Sequence, residues 1–87
     1  MAGTVIVADA DRTTLELVTA VLTRDGFDVL ATPDGGDALA RFFDASPCLV
    51  VCAEILPGIS GFELCRQIKT QRADTRVVIL HSHAEGL

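Results

Sequence analysis

The stretch CLVVCAEILPGISGFELCRQIK, residues 48–69, passes from an apolar run through a Gly/Pro-rich loop into a segment of helical periodicity. CLVVCA (48–53) is too short for a helix and suits a strand buried on both faces. LPGISG reads as a loop, and Phe62, Leu64, Cys65 and Ile68 mark the apolar side of the helix that follows. Strand, loop and helix in that order form half of a βαβ unit. Open sheets built from such units carry their functional groups just beyond the carboxyl ends of the strands. The decisive positions in this stretch are therefore Ala53 and Glu54.

The same pattern extends in both directions. TVIVA (4–8) predicts a first strand, and Asp11 stands where a helix N-cap would. Leu15, Val18, Val21 and Leu22 then recur at helical spacing for about four turns until Asp25-Gly26 stops the pattern. FDVLA (27–31) predicts a second strand, and Pro33-Asp34-Gly35-Gly36 opens a shorter helix with Ala38, Leu39, Phe42 and Phe43 on its apolar side. Ser46-Pro47 ends that helix, and after the polar link TQRADT the run RVVILHS (76–82) predicts a fourth strand. Strands alternating with helices imply an α/β domain: a doubly wound parallel sheet with helices on both faces and right-handed crossovers. Its strand ends are Asp9-Ala10-Asp11, Ala53-Glu54 and His81-Ser82-His83. No internal repeat or low-complexity segment interrupts it.

Composition narrows the possible functions. At 87 residues the chain is a single domain, residues 1–87, near the size where one core becomes marginal. Trp and Tyr are absent, so an aliphatic core with four Phe must hold it. Twelve acidic against seven basic residues give a net charge of −5, which disfavours nucleic acid or an anionic membrane surface as the partner. Cys48 and Cys52, four apart in an apolar strand, would lie about 13 Å apart, beyond disulfide reach. They read, with Cys65, as packed thiols of a reducing compartment, which predicts a cytoplasmic protein. No apolar stretch is long enough to span a bilayer, and MAGTVIVADADR lacks the basic start of a signal peptide. No Ser-His-Asp or Cys-His spacing, HExxH or CxxC pair, or GxxxxGK loop is present, so neither an enzyme nor a cofactor is expected.

The strand ends, the spacing from Asp11 to Gly26 and the run LPGISGFELCRQIK together make the chain resemble the receiver domain of bacterial two-component response regulators. The resemblance covers the whole chain. It implies a flavodoxin-like sheet of order 2-1-3-4, truncated after the fourth strand where such domains usually continue through a fifth. It also implies magnesium held by acids after the first strand and phosphoryl transfer to an aspartate ending the third. Counted back from Pro57, the acceptor position falls on Ala53, and the paired acids fall on Asp9 and Ala10, with Asp11 outside that pair. The family's hydroxyl residue falls on His81, or on Ser82 with a one-residue slip. Only Asp9 keeps the family's residue type. His81 is expected to fill the space of the missing aspartate, with a ring nitrogen turned to Asp9 or water.

A receiver with this degenerate phosphorylation site resembles a pseudo-receiver. The expected function is a phosphorylation-independent protein–protein interaction or dimerisation module in signal transduction, whose partner is another protein or itself as a homodimer. Its interface would use Val77, Val78, Ile79 and Leu80, which a fifth strand would otherwise cover. Two alternatives stay open: phosphorylation at a non-standard acid such as Glu54, and metal or redox sensing through His81, His83 and the cysteines.

Overall fold

In the computed structural model, which describes residues 2–81, the chain runs β1 (Thr4–Ala8), α1 (Arg12–Arg24), β2 (Asp28–Thr32), α2 (Gly35–Ala45), β3 (Leu49–Ala53), α3 (Gly61–Gln71) and β4 (Arg76–Leu80). All strand pairs are parallel and the order is β2-β1-β3-β4, the doubly wound arrangement that the sequence predicts. Ser82 and His83 lie outside the described residues.

The sheet separates two cores. Successive strand residues point to opposite faces, and β1 sends Ile6 and Ala8 one way and Val5 and Val7 the other, all at 0% exposure. Ile6 and Ala8 pack with Val50 and Cys52 of β3 beneath Phe42 of α2 and Leu64 and Ile68 of α3. Val5, Val7 and Val51 lie under Leu15, Val18 and Leu22 of α1. Each fully buried Val, Leu, Ile or Phe among them contributes about 1.5–3 kcal/mol of burial, which is why an 87-residue chain without Trp or Tyr can hold this sheet.

Side-chain caps start all three helices: the carboxylates of Asp11 and Asp34 and the Ser60 hydroxyl accept from the amides of Thr14, Asp37 and Glu63. The second strand starts one residue later than its apolar pattern predicts. The Phe27 amide donates to the Leu22 carbonyl and closes α1, so the ladder begins with Asp28 donating to Gly3. The fourth strand ends at Leu80, leaving His81 outside it, because Ala53↔Leu80 is the last pair before β3 turns into its loop.

Four packing expectations are corrected. Cys48 is exposed, not a core thiol: it precedes the first β1–β3 pair, Val5↔Leu49, and stands at the sheet's uncovered amino end. Val21, Phe43 and Phe62 are more than half exposed. Helix neighbours are turned by about 100°, so where Leu22 and Phe42 point inward, Val21 and Phe43 cannot. Phe43 instead sets its ring edge-to-face against Phe42, with centroids 5.5 Å apart. Phe62 lies two residues from the buried Leu64, a spacing that puts the two on opposite sides of α3.

Leu64→Ala is expected to lower stability by about 2–5 kcal/mol. Leu17→Ala, on the 64% exposed outer side of α1, should cost less than about 0.5 kcal/mol. Urea unfolding of the two variants checks which helix faces are buried.

Candidate functional site

The carboxyl ends of β1, β3 and β4 surround an open cavity of about 490 Å³. β1 supplies Asp9, Ala10 and Asp11, β3 and its loop supply Ala53, Glu54 and Ile55, and β4 supplies Leu80 and His81. The parallel register brings these together, since Ala8 pairs with Cys52 and Ala53 with Leu80. The sequence-predicted strand ends therefore meet in space, while Ser82 and His83 fall outside the described residues.

The three carboxylates lining the cavity each have a protein partner. Asp9, 8% exposed, accepts the Asp11 amide on Oδ1 at 2.9 Å, and its own amide donates to the Thr32 carbonyl. Asp11 turns outward as the α1 cap. Its Oδ2 accepts the Thr14 hydroxyl at 2.5 Å and the Thr14 amide at 3.1 Å, which hold its carboxyl below the ordinary value. Glu54 pairs its carboxylate with Nδ1 of His81, and its amide donates to the Leu80 carbonyl. His81 lines the cavity with its Nδ1 turned to Glu54, where Asp9 or water is expected, a pairing that strand periodicity does not reveal. Ala10 and Ala53 bring only methyl groups to this acidic space.

The loop after β3 is held by close backbone contact. The Gly61 amide donates to the Glu54 carbonyl at 2.9 Å, and a Cβ on Gly61 would stand 2.1 Å from the Ala53 carbonyl oxygen. On the other side the Gly35 amide donates to the Pro57 carbonyl, and a Cβ on Gly35 would stand 2.2 Å from the Ile59 carbonyl oxygen. Glycine at both places lets α2 and α3 grip the loop that carries Glu54 and Ile55. Ile55 is left 83% exposed at the cavity, a feature that the sequence reading missed.

The cysteines do not join this site. Cys48 stands at the amino end of β3, and Cys52 is buried in the core with Sγ 3.9 Å from the Gly61 carbonyl oxygen. Burial, with a smaller contribution from Cys65, pushes the Cys52 thiol up to about 11.

Comparison with known proteins agrees with this architecture. The family model for the response regulator receiver domain matches residues 5–86. The transcriptional regulatory protein AfsQ1 of Streptomyces coelicolor is 44% identical over 72 residues, covering 83% of this chain and 30% of that protein. The DNA-binding response regulator MtrA of Mycolicibacterium smegmatis is 37% identical over 76 residues, covering 87% of this chain and 32% of that protein. The chain thus spans about a third of the length of these relatives. Among solved structures, NtrX from Brucella abortus in complex with ADP superposes with a TM-score of 0.88 at 30% identity, covering 98% of this chain and 20% of that one.

Gly61→Ala is expected to destabilise the chain by about 1–3 kcal/mol, because the Ala53 carbonyl must move. Thermal unfolding measures the loss, and amide shifts at Glu54 and Ile55 should locate it. Iodoacetamide on the folded chain should label Cys48 and leave Cys52 unmodified at pH 8, with peptide mass mapping as the readout.

Proposed function

Since the chain belongs to the response regulator receiver domain family, we propose that it is a signalling interaction module that works without phosphorylation. The observation that carries this reading is Ala53. It ends β3 beside the cavity with a methyl group, and a methyl group cannot attack phosphorus. Ala10 adds a second methyl where the family resemblance implies an acid.

The magnesium ion implied by that resemblance does not fit the residues present. Magnesium takes oxygen ligands in octahedral geometry. Asp9 gives an oxygen to the Asp11 amide, Asp11 holds Thr14, and Glu54 is paired with His81. Among the described residues no group of three or more His, Cys, Asp or Glu side chains is arranged to hold a metal ion.

Without that chemistry the working part is surface. Among the described residues β4 forms an edge of the sheet, and Val77, Val78, Ile79 and Leu80 all keep part of their area in water. Covering such an edge returns burial that a small domain lacks. The proposed partner is therefore a protein that meets this edge. The competing reading, Glu54 as phosphoacceptor, is weakened by the carboxylate's pairing with His81.

Incubation with acetyl phosphate and magnesium should leave the intact mass unchanged, and a gain of one phosphoryl group would overturn the reading. Ala10→Asp combined with Ala53→Asp should gain magnesium binding by titration calorimetry before it gains phosphoryl uptake.

A further inference from the structure

A second cavity, of about 230 Å³, lies at the amino end of the sheet, the rim opposite the candidate site. Pro47 and Cys48, from the turn between α2 and β3, form one wall, and Arg72, Asp74 and Thr75, between α3 and β4, form the other. The register explains their meeting: Leu49 pairs with Arg76, so Cys48 and Thr75 stand side by side just ahead of that first pair. Both turns are internal to the described residues.

Each wall group is fixed in place with some bonding capacity left over. The Cys48 amide and thiol both turn to the Thr4 carbonyl, at 3.0 and 3.4 Å. The thiol sits against Gly3, where a Cβ would come within 3.2 Å of Sγ, so it is closed on that side, yet Cys48 is exposed. Arg72 ends α3 and donates through Nη2 to the Ser46 hydroxyl at the end of α2, 3.0 Å away. That bond holds the guanidinium between two helix ends with other N–H donors still free. Asp74 is exposed and makes no ion pair or hydrogen bond among the described residues. Thr75 is 5% exposed, its amide donates to the Arg72 carbonyl and its carbonyl accepts from Lys69. The Thr75 hydroxyl has no partner among the described residues, and it is the polar group that this residue has left for the cavity it lines. A buried hydroxyl without a hydrogen bond is destabilising, and a ligand that bonds it relieves that cost.

These groups define the chemistry of the ligand. A guanidinium matches a carboxylate, a carboxylate matches an ammonium, and a thiol exchanges with a disulfide. An amino acid whose side chain ends in a disulfide carries all three. The cavity is smaller than the roughly 300–1,000 Å³ typical for drug-sized ligands, which suits a single amino acid rather than a peptide. The net charge of −5 repels an anionic disulfide but not a zwitterion. We propose that Cys48 is a thiol–disulfide exchange site for a small zwitterionic disulfide of the cystine type. Arg72 and the Thr75 hydroxyl take the carboxylate of the bound half, and Asp74 takes its ammonium. The Cys48 sulfur, as thiolate, attacks the nearer ligand sulfur. A new S–S bond forms at Cys48, the ligand's own S–S bond breaks, and the outer half leaves as a thiolate that regains from water the proton Cys48 gave up. The Cys48 sulfur is oxidised as the departing sulfur is reduced, so the disulfide itself is the oxidant. Cys52, buried in the core, takes no part. The proposal is independent of the reading of the chain as an interaction module.

The test treats the full 87-residue chain at pH 8 with cystine or with neutral bis(2-hydroxyethyl) disulfide, read by intact mass and peptide mapping. Cystine should add one half-cystine on the Cys48 peptide, removable by dithiothreitol, and Cys48→Ser should abolish the uptake. Dividing the cystine rate by the neutral-disulfide rate cancels any change in the thiol's own exposure or acidity between variants. That ratio should fall about tenfold in Arg72→Gln, the loss of one charge-assisted hydrogen bond, and about threefold in Asp74→Asn and in Thr75→Val. Asp74→Asn lies outside the Arg72–Ser46 bond and keeps the test decisive if Arg72→Gln loosens the helix ends. A ratio unchanged in both Arg72→Gln and Asp74→Asn shows an accessible thiol without a binding site and overturns the proposal. So does uptake on Cys65 in place of Cys48, or no uptake from cystine by a chain whose Cys48 iodoacetamide labels.

Discussion

The two-sided burial of β1 and β3 is the constraint on which the rest of this molecule depends. A strand covered on both faces must pass its backbone hydrogen bonds to strands beside it, because no water reaches them. β1 meets that demand with β2 and β3, and β3 meets it with β1 and β4. Parallel neighbours in turn require crossovers, and the three helices are those crossovers. Once α1 lies on one face and α2 and α3 on the other, every strand reaches its carboxyl end at the same rim of the sheet.

That rim explains why the site has the form it does. The Asp9, Ala53 and His81 segments are far apart in the chain, yet register alone makes them neighbours. The loop after β3 is then fixed by backbone contact with two helix starts, and glycine is required at Gly35 and Gly61 for that approach. The acids of the rim are mostly engaged in holding turns: Asp9 supports the Asp11 amide, and Asp11 caps α1. Carboxylates used in this way maintain the scaffold of a receiver. Ala10 and Ala53 add only methyl groups to the lining of the open cavity. The outcome is a family fold whose function, on the reading proposed above, has moved from a reacting centre to a surface.

The edge at β4 follows from the same constraint. A strand with an apolar residue on each face is suited to neighbours on both sides, and β4 has one among the described residues. Among the described residues no strand lies on its outer side, and Val78 is 46% exposed there. The opposite edge, β2, is better covered: α1 and α2 lie over its two faces, and it begins with the exposed charge of Asp28.

Much of this architecture is legible in the amino-acid sequence. TVIVA, CLVVCA and RVVIL are apolar runs too short for helices, and the caps and glycines between them place the turns. Those are local signals, read from residues a few positions apart, and so is the location of Asp9, Ala53 and Glu54 at strand ends. Tertiary structure decided whatever depends on direction or on distant neighbours. Val21, Phe43 and Phe62 are apolar residues of amphipathic helices yet point outward, because the helix turn carries adjacent residues away from a core whose position only the packed sheet defines. Cys48 looks like a core residue until the sheet's amino end leaves it uncovered. The meeting of His81 with Glu54 needs the β3–β4 register, a pairing of backbones that no local periodicity encodes.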